Sequence, residues 1–116
     1  MTEKQKSFFK IESNRIALLD LDLDNGTFQQ MFPNINFKNR PTYWVTRLSV
    51  PKPLRNKKIA TDLITEMVNW LDKNKYNAII GVNPYGDLNL TQLINFYSKF
   101  GFNINDQNVG YRLNRI

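Results

Sequence analysis

Residues 59–73 impose the tightest constraint on what this chain can fold into. Ile59, Ala60, Leu63, Ile64, Met67, Val68 and Leu71 recur at steps of three and four. That spacing puts them on one face of a helix, and the face must be covered by other structure. Lys73 in the last turn and Asn74 as a left-handed cap close the helix. Before it, residues 42–50 are rich in aromatic and β-branched side chains and run into Pro51, the pattern of a strand. After it, residues 78–82 read as a short buried strand. Strand, helix, strand is a βαβ unit, and its two strands are expected to be parallel.

The flanking regions add antiparallel elements. Residues 7–12 and 15–21 have strand character on either side of Ser13-Asn14, a hairpin pattern. Leu19, Leu21 and Leu23 alternate with Asp20, Asp22 and Asp24, the two-residue period of a half-buried strand. Three carboxylates on one strand face also make a candidate metal or acceptor site, but the solvated face of a sheet is the preferred reading and no metal site is expected. Asn25-Gly26 ends that strand. Thr27 with Gln30 forms a capping-box pattern for one helical turn through Phe32, stopped by Pro33, and residues 34–41 read as polar loop. Beyond a turn at Pro84-Tyr85-Gly86-Asp87, Asn89 and Gln92 open a second helix. Its apolar positions are Leu90, Leu93, Ile94, Tyr97 and Phe100, and Gly101 ends it. Residues 102–104 and 109–113 read as two last strands around a turn at 105–108. The whole, residues 1–116, is expected to be a single α/β domain with a mixed sheet.

Composition narrows the chemistry. The 116 residues contain neither cysteine nor histidine. Disulfides, thiol nucleophiles and cysteine-held metals are excluded, as is the commonest general base. The first ten residues are polar, and no apolar run approaches the roughly 18 residues of a membrane span. A cytoplasmic protein without a membrane partner is expected. The net charge is +6, and between Arg47 and Lys58 there are five basic residues and no acidic one. Such a field attracts phosphates, although a solvated basic loop without a ligand is the simpler alternative. The loop leads into the helix at residue 59, whose first N–H groups lack intrahelical partners and carry the positive pole of the helix dipole. Lys57 and Lys58 crowd that pole, and a bound anion would offset the repulsion.

Two motifs now line up. Leu48-Ser49-Val50-Pro51 is followed by Arg55-Asn56-Lys57-Lys58-Ile59-Ala60, and a strand later comes Phe96-Tyr97-Ser98-Lys99-Phe100-Gly101-Phe102. Together they resemble the GNAT (Gcn5-related N-acetyltransferase) superfamily over residues 42–115. That resemblance implies a mixed, mostly antiparallel twisted sheet with a central parallel βαβ unit and a V-shaped splay between the two central strands. It implies acetyl-CoA as acyl donor and direct attack by an amine acceptor. The backbone of Leu48, Ser49 and Val50 would pair with pantetheine and polarise the thioester carbonyl. Arg55 would open the pyrophosphate loop, and the N–H groups of Asn56, Lys57, Lys58, Ile59, Ala60 and Thr61 would hold the phosphates. Tyr97 would protonate the departing thiolate, the alternative being that its ring only packs beneath the helix.

The chain departs from the family pattern in several places. Lys58 stands at the central glycine of the loop motif; it either offers its ammonium to a phosphate or abolishes binding, and retained binding is preferred. Leu90 stands where many members carry a cofactor-contacting Asn, with Asn89 beside it as the expected helix cap. Residues 42–50 hold no carboxylate, so the general base stays open among Asp20, Asp22, Asp87 and a water relay through Ser49. A single turn at 27–32 stands for two helices that usually cover the acceptor, which favours a protein acceptor over a small amine. The alternative from another class is a catalytically inactive binding module on the GNAT scaffold, recognising an acidic partner or nucleic acid. Nucleic acid is the weaker partner, because the aromatic residues lie at apolar periodic positions.

Overall fold

The computed structural model describes residues 3–55, 58–83 and 88–114. Six strands build one sheet: β1 (Gln5–Glu12), β2 (Arg15–Leu23), β3 (Thr42–Ser49), β4 (Asn77–Gly81), β5 (Asn103–Ile104) and β6 (Val109–Arg112). Their order in space is β1-β2-β3-β4-β6-β5. Two helices, α1 (Ile59–Asn74) and α2 (Leu90–Ser98), follow β3 and β4. Every neighbouring pair is antiparallel except β3 with β4, the two strands of the βαβ unit. Ser13 and Asn14 both take positive φ, as a two-residue hairpin turn between β1 and β2 requires.

Alternation along the strands makes a core on each face. Leu19, Leu21, Tyr43, Val45, Ala78 and Ile80 point to one side and meet Leu63, Ile64, Met67 and Leu71 of α1 with Leu93 and Tyr97 of α2. Burial against Trp70 and Tyr76 pushes the phenol of Tyr43 up to about 12. The intervening residues Trp44, Ile79 and Tyr111 point to the other side. There Phe32 and Phe37, from the connection between β2 and β3, cover them, and Phe28 stacks on Trp44 at 4.2 Å. Residues 34–41 are therefore more than polar loop.

Two buried polar groups bind distant parts of the chain. Asn77 donates to the Phe37 carbonyl at 2.9 Å and accepts from the Asn114 N–H at 2.8 Å. Arg112 makes a two-point ion pair with Asp72 at 2.9 Å per bond and donates to the Phe100 carbonyl at 2.6 Å.

Three local expectations are corrected. The short turn, a 3-10 helix at Gln29–Met31, is not capped by Thr27, whose hydroxyl bonds Asn25 instead. Asp24 caps it, one carboxylate oxygen on the Phe28 N–H (3.1 Å) and the other on the Gln29 N–H (3.0 Å). Asp24 is consequently buried and does not lie on a wet strand face. Finally, Asn74 is the last residue of α1, and the left-handed cap is Lys75, with φ +63°. The N–H groups of Lys75 and Tyr76 return to the Asp72 and Leu71 carbonyls, the double bond of a Schellman close.

Candidate functional site

The site is built where β3 and β4 part. Their parallel ladder runs only through Thr42–Asn77, Tyr43–Ala78 and Trp44–Ile79. Past that point β3 continues to Ser49 and β4 to Gly81 without pairing to each other. The gap opens at the C-terminal ends of two parallel strands, where ligands of α/β folds commonly sit.

A bulge in β3 contributes to the opening. Asp20 pairs with Arg47 and Leu21 with Val45, which leaves Thr46 as an extra residue. Thr46 donates its hydroxyl to the Asp20 carbonyl at 3.1 Å. A bulge bends its strand and increases local twist, so the second half of β3, with Leu48 and Ser49, is carried away from β4. The bulge was not anticipated from the sequence; the signal that could have found it is Thr46-Arg47, two polar residues in succession between apolar Val45 and Leu48.

From Val50 the chain turns through Pro51 into a 3-10 helix at Lys52–Leu54, anchored by buried Leu54. Arg55 then reaches back, its Nε donating to the Val50 carbonyl at 3.1 Å. Asn56 and Lys57 lie outside the described residues, as do the turn at 84–87 and with it the candidate base Asp87.

Lys58 is the residue before α1 and adopts φ +61°, ψ +19°, the left-handed conformation. The glycine that the motif calls for is thus a conformational requirement as well as a matter of space. Lys58 holds the same backbone shape at a cost of about 1 kcal/mol relative to glycine. Its carbonyl accepts the first intrahelical bond, from the Asp62 N–H at 3.0 Å, and no side chain among the described residues caps the helix. The N–H groups of Ile59, Ala60 and Thr61 therefore meet no acceptor among the described residues. Three such donors at the positive pole of a 16-residue helix attract an anion.

The other expected residues are placed as follows. Leu48 and Val50 are half-buried at the edge of the main core and Ser49 is exposed. Tyr97 sits on α2, 5% exposed, its ring edge-on to Phe96 and Phe102. Asn89 is the cap of α2, as expected, in a complete capping box with Gln92. Of the carboxylates, Asp20 accepts from the Ser7 hydroxyl at 2.6 Å and from Arg47 at 3.2 Å on the sheet face opposite α1. Asp22 faces the same way, paired in register with Trp44. Among the described residues no three His, Cys, Asp or Glu side chains gather closely enough to hold a metal ion.

One feature had no warning in the sequence. A side chain added at Gly81, the last residue of β4, would meet nothing within 4 Å. Open space therefore lies beside the splay on the face that carries Asp20 and Thr46. Two shallow cavities, of about 310 and 390 Å³, lie elsewhere, around Phe32 and Ile35.

No family model matches the sequence, and no curated protein matches it either. Solved structures do match. The anti-CRISPR protein AcrVA5 superposes with a TM-score of 0.60 at 13% identity, covering 94% of this chain and 98% of that one. An aminoglycoside 6'-N-acetyltransferase in complex with coenzyme A gives 0.60 at 11% identity, covering 93% and 71%. The KacTA–DNA complex gives 0.58 at 12% identity, covering 97% and 70%. At such identities the likeness is one of fold. No helix among the described residues is long and apolar enough to cross a membrane. The chain has a GNAT-like fold, a six-stranded mixed sheet opened between its two parallel strands.

Proposed function

We propose that this chain is an N-acetyltransferase that moves an acetyl group from acetyl-CoA directly to an amine, on a protein rather than a small molecule. The observation that carries this reading is the splay between β3 and β4 in the same βαβ unit as α1, whose first N–H groups have no acceptor among the described residues. One gap accepts an extended pantetheine arm, and three N–H donors stand ready for the pyrophosphate attached to it. The likeness in fold to an acetyltransferase crystallised with coenzyme A supports it.

In this reading the backbone of Leu48, Ser49 and Val50 aligns the thioester and holds its carbonyl oxygen as negative charge develops there. Ile59, Ala60 and Thr61 hold phosphate oxygens through their N–H groups, with the Lys58 ammonium beside them, Arg55 bracing the loop, and Asn56 and Lys57 completing it. The amine adds to the carbonyl carbon, the carbon–sulfur bond breaks, and Tyr97 gives its proton to the leaving thiolate. The amine's own proton goes to a base that stays unassigned among Asp20, Asp22, Asp87 and ordered water.

Calorimetry with CoA and acetyl-CoA tests the cofactor half. Binding is expected, and silence at millimolar ligand would sink the proposal. Labelled acetyl-CoA with candidate acceptor proteins, read by mass spectrometry, tests the acceptor half; labelling of small polyamines alone would redirect it.

A second reading rests on Lys58, a strained cation where the motif has glycine. On that view the scaffold binds an acidic partner or nucleic acid without catalysis. One matching structure is a complex with DNA, so a salt titration of DNA binding belongs beside the calorimetry.

A further inference from the structure

The two edges of the sheet are unlike. β5, at one edge, is two residues long. β1, at the other, is eight residues long, contains no proline and pairs with β2 without a register shift. Long straight edges are templates for another strand, and proteins ordinarily blunt them.

The direction of the free groups on β1 follows from one bond. The Leu23 N–H donates to the Lys4 carbonyl. Hydrogen-bonded pairs recur every second residue in an antiparallel ladder, so Lys6, Phe8, Lys10 and Glu12 face β2 with their backbone groups. Gln5, Ser7, Phe9 and Ile11 turn theirs outward, where no strand among the described residues meets them. On the sheet face away from α1, Phe9 and Ile11 stand beside Leu18 and Ile16, their register partners. Phe9 is 58%, Ile11 65% and Ile16 55% exposed.

Lysines commonly guard such edges, but two of these are occupied. Lys10 bonds Glu66 of α1 at 2.7 Å, and Lys6 lies over the rings of Phe8 and Trp70. What the charges select is a register. Two copies of β1 joined about a two-fold must place the axis on one residue, so that outward groups meet. With the axis on Ser7, Lys4 faces Lys10; on Phe8, Lys6 faces Lys10; on Lys10, it faces itself. With the axis on Phe9, Lys6 of each copy faces Glu12 of the other, Ser7 faces Ile11, and Phe9 meets its own counterpart. Of these four registers only the last sets opposite charges across the seam without opposing two lysines; an axis on Ile11 sets Lys10 against Glu12 but pairs only residues 10–12 of each strand.

We propose that β1 is the interface of a homodimer, paired antiparallel to β1 of a second copy about an axis at Phe9, giving a continuous twelve-stranded sheet. The interface is isologous, so each favourable pair occurs twice. It lies two strands away from the β3–β4 gap and is independent of the acetyltransferase reading.

Light scattering and sedimentation of the full chain at high micromolar concentration test it. The wild type is expected at twice the monomer mass. Glu12→Lys, at an exposed position, should return the mass to that of the monomer by setting Lys6 against a lysine. The exchange Lys6→Glu with Glu12→Lys should restore the dimer. A monomeric wild type overturns the proposal, as does a Glu12→Lys protein that stays dimeric. Failure of a folded double variant to re-dimerise, with native circular dichroism, overturns the register and with it the proposal.

Discussion

The two helices of this protein begin in opposite ways. At α2, Asn89 is extended, its side chain accepts from the Gln92 N–H at 2.8 Å, and Gln92 returns a bond to the Asn89 N–H at 2.9 Å. At α1, Lys58 is left-handed, and among the described residues no side chain caps the helix and three N–H groups meet no acceptor. The sequence is thus able to close a helix start with its own side chains and does so where the helix serves packing. At α1 it leaves the donors for something else and adds cations. An uncapped start costs about 1 kcal/mol relative to a capped one, and a ligand phosphate would offset that cost.

This contrast is breakable by substitution. The largest effect is expected at the far end of α2: Tyr97→Phe should reduce turnover about 100-fold or more while leaving the affinity for CoA within error by calorimetry. Equal turnover would strip Tyr97 of the acid role and leave it a core residue. Lys58→Asp, which gives α1 a carboxylate at its cap and reverses the charge there, should weaken CoA binding by about 10-fold or more. An unchanged dissociation constant would show that the pyrophosphate does not sit on that helix. Asn89→Ala should lower stability by about 1 kcal/mol in urea melts without touching CoA affinity, since the α2 start is closed structure. Smallest is Lys58→Gly. Relief of the left-handed backbone should raise stability by at most about 1 kcal/mol, while loss of the ammonium weakens CoA several-fold. Opposite signs in the two measurements are the signature; tighter binding would mean that the lysine obstructs.

Why some of this was legible in the sequence and some not has a physical basis. The periodicity of residues 59–73 located α1 because one face of it is wholly buried, Leu63, Ile64, Met67 and Leu71 being fully covered. The capping box at Asn89 was legible because both partners lie three residues apart. The cap at Asp24 was not, since strand alternation assigned that carboxylate to solvent before the chain turned back over it. The same limit applies to Asn77 and Arg112. Each looks like an ordinary surface residue until partners 37 and 40 positions away are brought alongside. In the site, the motifs marked the loop and the helix, but the backbone shape at Lys58 and the space beside Gly81 are properties of three-dimensional closure.

The ion pair of Arg112 with Asp72 bears on how the protein is made. Strand β6 is the last of the sheet to leave the ribosome, yet it lies inside the sheet, between β4 and β5. Its buried arginine completes a two-point bond to Asp72 at the C-terminal end of α1. The βαβ unit is therefore synthesised early and locked late. Until β6 emerges, the edge of β4 is a strand template and Asp72 of α1 lacks its arginine. A chain stalled in that interval is the form that chaperones and proteases would encounter. Clipping within residues 109–114 should consequently harm yield in the cell more than its share of the core would suggest.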